Sequence, residues 1–536
     1  MALATLQPDG LFYVLQNINL NNTYKETYSF PTLAEQTNFF LLKALDNRSL
    51  QYKTVSPARA PNTIILPVNA NRVLNCDYCM FQNSNYSNKW FYAFITGVEW
   101  QSVSSCVLHY EIDVLQSWYF EMRLPPCFVV REHVQDDSVG ANVMDENLEL
   151  GEYVTQNEYS SGLFDEYVYV VAAAFDETLN DAVGSLYSGI YSGLHYNVFE
   201  TVTAVNSFLS RAVGDNKATG IVSVFMMPKT FADVNQVQAN LEPFYVPHVN
   251  SGALDGYTPK NNKCYTYPYS FLFCNNMSGG SADFRYEDFQ DVDTSHSNQC
   301  GFWVFVDFTC NPTAILVPRQ YKGTTANWNE KISMDGFPQC AWTTDTFKAW
   351  LAQNGSSTAI GMMSSAFSGI GSLLTGNFAG AIGTGFSIAQ QVAQVKATES
   401  LPPQAHGATA STALVATGHK DFFLYHMTVK KEYMKVIDNY FSMFGYAVHE
   451  VKTPRITGRQ SWNYIETKEC IVQGNLPQTA ARQIENIFNN GIRFWHGDWI
   501  GQYFRDNSPV SNFIGEGGPP GNVPTTQTGL EFGPAQ

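Results

Sequence analysis

The chain has 536 residues, 44% of them hydrophobic and 14% aromatic, and carries a formal charge of −17 from 31 Lys and Arg against 48 Asp and Glu. That length and apolar content exclude a disordered chain and leave room for roughly two to four domains. The acidic balance excludes an average surface that grips nucleic-acid phosphate; polyanions should slide past it.

The N-terminus, MALATLQPDGLFYVLQ, has no basic n-region and no long apolar core. Neither a signal peptide nor a lipid anchor is expected, and folding in a cytoplasm is. Ten cysteines in so large a chain are too sparse for a disulfide scaffold, so buried thiols and no structural disulfides are expected. In that compartment the triplet Asn85-Tyr86-Ser87 is composition only, and no glycan is expected.

The first part of the chain, 1–135, reads as strands. Phe91 to Thr96 is one, and from Val107 to Leu115 the apolar residues Leu108, Tyr110, Ile112 and Val114 alternate with His109, Glu111 and Asp113, as on a strand with one buried face. Phe128 to Val134 resumes the extended pattern. Gln135 to Leu150 turns polar and acidic, which marks a domain edge near 136–150. A β-rich middle, 136–348, contains the apolar runs Tyr167 to Ala173, Ile221 to Met226 and Phe302 to Phe308 between Gly-, Pro- and Asn-rich connectors.

The segment 349–419 is the anomaly. Between Lys348 and Lys420 the only formal charges are Lys396 and Glu399. Ile360, Met363, Phe367, Ile370, Leu374, Phe378, Ile382 and Phe386 recur every three or four positions, one stripe of a helix. Ser364, Ser368, Ser372, Gly376, Gly380 and Thr384 place a small residue at every fourth position, the spacing that lets helices approach closely. Each Gly costs such a helix about 0.8–1 kcal/mol in water relative to Ala. In lipid the open backbone has no solvent and helix becomes the favoured state. The expectation is a membrane-active segment, stored in one conformation and released into a bilayer; a buried Gly/Ala-rich helix or a polar loop is the alternative.

Ordinary globular sequence returns in 420–505. Tyr433, Val436, Ile437, Tyr440, Phe441 and Phe444 stand at helical spacing ahead of Gly445, a C-cap. Asn463 to Val472 reads as a strand. Ala480 to Asn490 reads as a helix with Ile484, Ile487 and Phe488 inward, stopped at Gly491. The Gly- and Pro-rich end, 506–536, reads as a tail.

Candidate chemistry is thin. Cys76-x-x-Cys79 lacks the second ligand pair of a zinc site, while Cys264/Cys274 and Cys300/Cys310 have the spacing of sites facing one another across a sheet. Glu146/Glu149 and Asp165/Glu166 are acidic pairs that nothing distinguishes from solvated turn residues. His109, His133, His195 and His248 lie near no nucleophile elbow or HExxH pattern, and no phosphate-binding glycine loop is present. No enzyme activity, metal or cofactor is expected.

The strings YCMFQNSNYSNKWFYAFITGVEW (78 to 100), HYEIDVLQSWYF (109 to 120) and FVVREHV (128 to 134), and later SWNYIETKECIVQGNLPQ (461 to 478) and QIENIFNNGIRFWH (483 to 496), resemble, in the same order, the tail-knob proteins of phi-29-like short-tailed bacteriophages. The resemblance implies a β-rich α+β protomer with β-barrel-like domains, 1–135 and 420–505, in the wall of a homohexameric tube in the virion tail. It implies genomic DNA passing down the lumen without sequence-specific binding, and a hydrophobic loop at 349–419 that plugs the tube and then penetrates the host cell membrane. An upstream tail or collar protein and a distal tail-tip protein are the implied neighbours. A free pore-forming protein and a tail-associated enzyme that degrades cell wall are the competing readings.

Overall fold

The computed structural model describes residues 8 to 496 except 9, 45–50, 53–55, 58–59, 164–165, 177–183, 192, 216, 233–243, 277–278, 292–293, 308–312, 335–338, 341–420 and 457–461. The chain divides into two units. The first is assembled from Met1–Gly151, Gly256–Cys264 and Lys431–Gln536, the second from Glu152–Asp255 and Tyr265–Lys430.

In the first unit Phe12–Leu15, Tyr78–Asn83, Lys89–Ser102 and Ser105–Ile112 run side by side in the middle of a seven-stranded sheet. Side chains alternate between the faces of a strand, and here both faces are covered. Phe12, Val14, Cys79, Phe81, Phe91 and Ala93 enter one apolar core. Tyr13, Leu15, Tyr78, Met80, Tyr92 and Phe94 enter a second. Covering both faces is why Phe12–Leu15 and residues 78–81 and 91–94 read as continuous apolar runs, whereas Ser105–Ile112 buries one face and alternates.

Ser105–Ile112 stops earlier than its alternation suggests. Asp113 is 1% exposed, and its carboxylate accepts hydrogen bonds from Gln116 N at 3.0 Å and Tyr78 Oη at 2.7 Å. It thereby N-caps the short helix Val114–Trp118. Burial pushes its pKa up to about 6.

A five-stranded sheet in the same unit joins the chain's two ends: Glu26–Ser29 pairs in parallel with Ile492–His496, followed by Trp462–Lys468, Cys127–Glu132 and Tyr446–Lys452. The strand expected to reach Val472 ends at Lys468, because Glu469 takes a left-handed φ of 54°. The helix Gln478–Asn489 buries Ala480, Ile484, Ile487 and Phe488, with full burial of such an apolar side chain worth about 1.5–3 kcal/mol. It ends before Gly491, at φ 81°, where a Cβ would stand 2.0 Å from Tyr464 Oη. The helix Lys431–Phe444 ends before Gly445 at φ 65°. Its buried face is Met434, Ile437, Asp438, Phe441 and Ser442, so Val436 is 67% exposed.

The second unit holds three sheets around one core. Tyr167–Ala173 is central in a five-stranded sheet, between Leu194–Phe199 and Ile221–Pro228. Val168, Val170 and Ala172 face the core, and the helix Val202–Gly214, burying Val205, Phe208, Leu209 and Ala212, has Phe208 against Phe199 of that sheet. Gln299–Asp307 pairs with Thr313–Tyr321 in another sheet. Phe423–Val429 lies between Tyr153–Ser160 and Ser270–Asn275 in the third.

The protein is strand-rich, but the sheets are open among the described residues, which corrects the barrel-like wall. The seven-stranded sheet ends in the two-residue strands Gln51–Tyr52 and Ser56–Pro57, each paired on one side only. Strands this short, one ending in a Pro without an N–H, give no edge along which the sheet could close.

Candidate functional site

The fourteen residues of the apolar stripe and the small-residue register, from Ile360 to Phe386, lie outside the described residues. The chain on either side of 341–420 is described. The described element before it is Gln339–Cys340, an outer strand of the second unit paired with Phe225 and Val224. The described chain resumes at Asp421, directly ahead of the central strand Phe423–Val429.

Asp421 is 9% exposed and saturated with donors. Its carboxylate accepts from the hydroxyls of Ser160 and Ser161, from the backbone N–H of Gly162 at 3.0 Å and Leu163 at 3.4 Å, and from Phe422 N at 2.7 Å. Ser161 N also donates to Phe422 O at 3.0 Å. A charged acceptor for several donors is a strong anchor, and it fixes the C-terminal root of the sparsely charged segment onto the end of Tyr153–Ser160. Nothing in the local sequence marks Asp421 for this role; all its donors but Phe422 N lie some 260 positions upstream.

A second polar constellation lies inside the first unit. Glu146, with its side chain fully buried, binds Arg131 through Oε2 and Lys263 Nζ through Oε1 at 2.5 Å, and accepts from Ala447 N at 2.7 Å. Arg131 Nη1 donates to Gly445 O at 2.6 Å, and Lys263 Nζ to Met144 O at 2.7 Å. Burial pulls the Lys263 pKa down while Glu146 opposes that shift. Beside it Asp438 accepts from Tyr257 Oη at 2.6 Å, from the backbone N–H of Lys260 and Asn261 at 3.0 Å, and from Asn261 Nδ2 at 2.8 Å. Two carboxylates thus tie Gly256–Cys264 into the first unit. Glu146 is therefore no solvated turn residue.

The remaining candidates for chemistry are dispersed. Cys264 sits in a turn of the first unit and Cys274 in a strand of the second, so they do not face one another across a sheet; Cys310 lies outside the described residues. Cys76 and Cys79 are buried in the first unit's core. Asp165 is outside the described residues, and Glu166 makes an exposed pair with Lys229 at 3.6 Å. His133 is buried with both ring nitrogens engaged, Nδ1 accepting from Tyr464 N at 2.8 Å and Nε2 donating to Ser442 O at 3.0 Å. His109 is 3.4 Å from Glu99, His195 is 3.8 Å from Asp176, and His248 stacks on Tyr286. A cleft of about 680 Å³ in the first unit is lined by Lys89, Trp90, Trp118, Phe120 and Glu121 among others. Its lining carries one carboxylate, paired with Lys89, where glycoside hydrolysis needs two. Among the described residues no group of three or more His, Cys, Asp or Glu is arranged to hold a metal ion, and no helix is long and apolar enough to cross a membrane.

Comparison with known proteins places these features in a family. Residues 229–508, just over half of the chain, match the family model for the C-terminal domain of the tail knob protein gp9 of Bacillus phage phi29. Residues 9–123 match the model for the N-terminus of the caudoviral major tail protein. The chain is similar to tail knob protein gp9 of Bacillus phage PZA, at 25% identity, and to that of Bacillus phage phi29, at 24%, in each case over 92% of this chain and 98% of the relative. In fold it is similar to the bacteriophage C1 tail knob protein gp12, with a TM-score of 0.56 and 12% identity, over 91% of this chain and 97% of that one.

Proposed function

Since the chain belongs to the phi29 tail knob protein gp9 family, and so is a structural component of a phage tail, we propose that it forms a homohexameric tube that conducts genomic DNA during ejection and carries a releasable membrane-penetrating segment at 349–419. The spans 1–135 and 420–505 make the tube wall, and the middle, 136–348, is a β-rich insert. The ring joins an upstream tail or collar protein and a distal tail-tip protein, and assembles in the host cytoplasm before residing in the virion.

The carrying observation is that a stretch with two formal charges between Lys348 and Lys420 is inserted between two strands of one folded unit. An inserted span of this kind can change conformation without unpicking the sheets that hold its ends. The wall supplies the second half of the reading: a net charge of −17 suits a lumen that repels DNA and lets it slip, since each phosphate contact would add friction.

Electron microscopy of the purified protein should show rings or short tubes with a central hole. A peptide covering residues 355 to 395 should gain helix and release dye from liposomes. Solid particles would refute the tube; a peptide that gains no helix and causes no leakage would refute the membrane role.

A further inference from the structure

The cleft of about 680 Å³ is built wholly from the first unit, and its volume falls within the roughly 300–1,000 Å³ of small-molecule sites. Three stretches of chain meet there. One is the turn after Tyr78–Asn83, where Asn83 Oδ1 accepts from Asn85 N at 2.9 Å and Asn88 N donates to Asn83 O at 3.1 Å. The second follows the helix Val114–Trp118 and carries Phe120 and Glu121. The third is residues 475–477, drawn beside it because Gln473–Gly474 pairs antiparallel with Met122–Arg123. These internal hydrogen bonds shape the walls in advance of any ligand.

The lining sorts by chemistry. Trp90 is half-buried and Phe120 is 37% exposed, so each offers the cleft an aromatic surface. Asn85, Asn88 and Asn475 are exposed around it, and no hydrogen bond to a described residue occupies their side-chain amides. The two formal charges of the lining cancel: Lys89 is paired with Glu121, and its Nζ stands 3.5 Å from the centre of the Trp118 ring.

We propose that this cleft holds a neutral oligosaccharide. A pyranose ring has C–H groups on its faces, which the negative face of an aromatic ring attracts, and hydroxyls at its rim, which donate to and accept from amides. An anionic ligand would find the single cation already neutralised and covered on one side by Trp118, and a cationic ligand would find the single carboxylate taken. A peptide is gripped along a strand edge or by an apolar groove, whereas these amides project from a turn and a loop. With one carboxylate the cleft binds a sugar chain without cleaving it. This binding rests on neither the tube nor the segment at 349–419.

The test titrates the full-length chain with maltotetraose, cellotetraose and chitotetraose, by calorimetry and saturation-transfer NMR. Tetragalacturonate is the anionic comparator and tetraglycine the peptide one. At least one neutral tetrasaccharide should saturate with a Kd below about 1 mM. It should show its strongest transfer at ring C–H protons, be recovered intact and leave the sedimentation of the protein unchanged. Phe120→Ala and Asn85→Ala, both at exposed positions, should each weaken binding by at least about tenfold. Hydrogen exchange of the unaltered chain should slow at 85–90 and 475–477 when sugar is bound, which locates the site even if a variant fails to fold. No binding of any of the three at about 10 mM, equal binding of tetragalacturonate or tetraglycine, cleavage of the sugar, or slowed exchange only elsewhere would overturn the proposal. So would a sugar that takes an assembly apart, since the cleft would then be a contact between copies.

Discussion

Replacing Glu146 by Ala tests the buried ion network most sharply. The change leaves Arg131, 9% exposed at its side chain, and Lys263, 1% exposed, without the carboxylate that they share, and leaves Ala447 N without its acceptor. Breaking a buried ion pair by deleting one partner costs about 3–5 kcal/mol, and an unsatisfied backbone N–H adds about 1–3 kcal/mol. Lys263 recovers part of that by shedding its proton, which burial already favours. A net loss of about 5 kcal/mol follows, and at roughly 2–4 °C per kcal/mol for a unit of this size the first unit should unfold about 10–20 °C lower. Because two units need not unfold together, the readout should be hydrogen exchange resolved by peptide, with thermal unfolding followed alongside. Glu146→Gln, which keeps an acceptor for Ala447, should lose less. Replacing all three charges together, Arg131→Met with Glu146→Leu and Lys263→Met, should lose far less than Glu146→Ala does alone, since no charge is then stranded. A Glu146→Ala variant within about 1 kcal/mol of the parent would refute this reasoning.

Three further outcomes follow from the same geometry. His426 is 2% exposed and its pKa falls to about 4, below the ordinary 6.5, because burial disfavours its charged form. The unfolded chain therefore binds the extra proton first, and stability is present above pH 6.5 and is lost on acidification toward pH 4 by about 3 kcal/mol in all; His426→Gln should remove that part of the acid slope, measured by urea unfolding at several pH values. Gly445→Ala puts a Cβ 2.1 Å from Glu132 O at a φ of 65°, and should destabilise the first unit by about 3 kcal/mol in the same assay. Asp421→Ala strips acceptors from three backbone N–H groups, so it should cost the second unit about 3 kcal/mol and speed hydrogen exchange at Gly162 and Leu163; unchanged exchange there would dismiss the anchor.

Much of the fold was legible where one periodicity dominates. Tyr167–Ala173 and Ile221–Pro228 announce themselves as apolar runs, and Ile484, Ile487 and Phe488 at helical spacing ahead of Gly491 describe the helix Gln478–Asn489 closely. What stayed hidden depends on partners remote in the chain. Glu146 sits in a polar stretch, and only Lys263, 117 positions away, together with Arg131 makes its burial tolerable. Asp113 looks like the wet face of a strand until Tyr78 and the Gln116 N–H occupy its oxygens. The parallel pairing of Glu26–Ser29 with Ile492–His496 leaves no local mark at all, because sheet partners are chosen by the tertiary fold. The apolar stripe from Ile360 to Phe386 is the reverse case: its character is plain in the sequence, and it lies outside the described residues.

The most direct measurement is genome delivery by virions whose tail protein lacks residues 355 to 395. Such particles should assemble tails, adsorb to cells and retain their DNA, because the strands at both roots of the deleted stretch are intact. Delivery at the parental efficiency would contradict the membrane role and leave only a conduit.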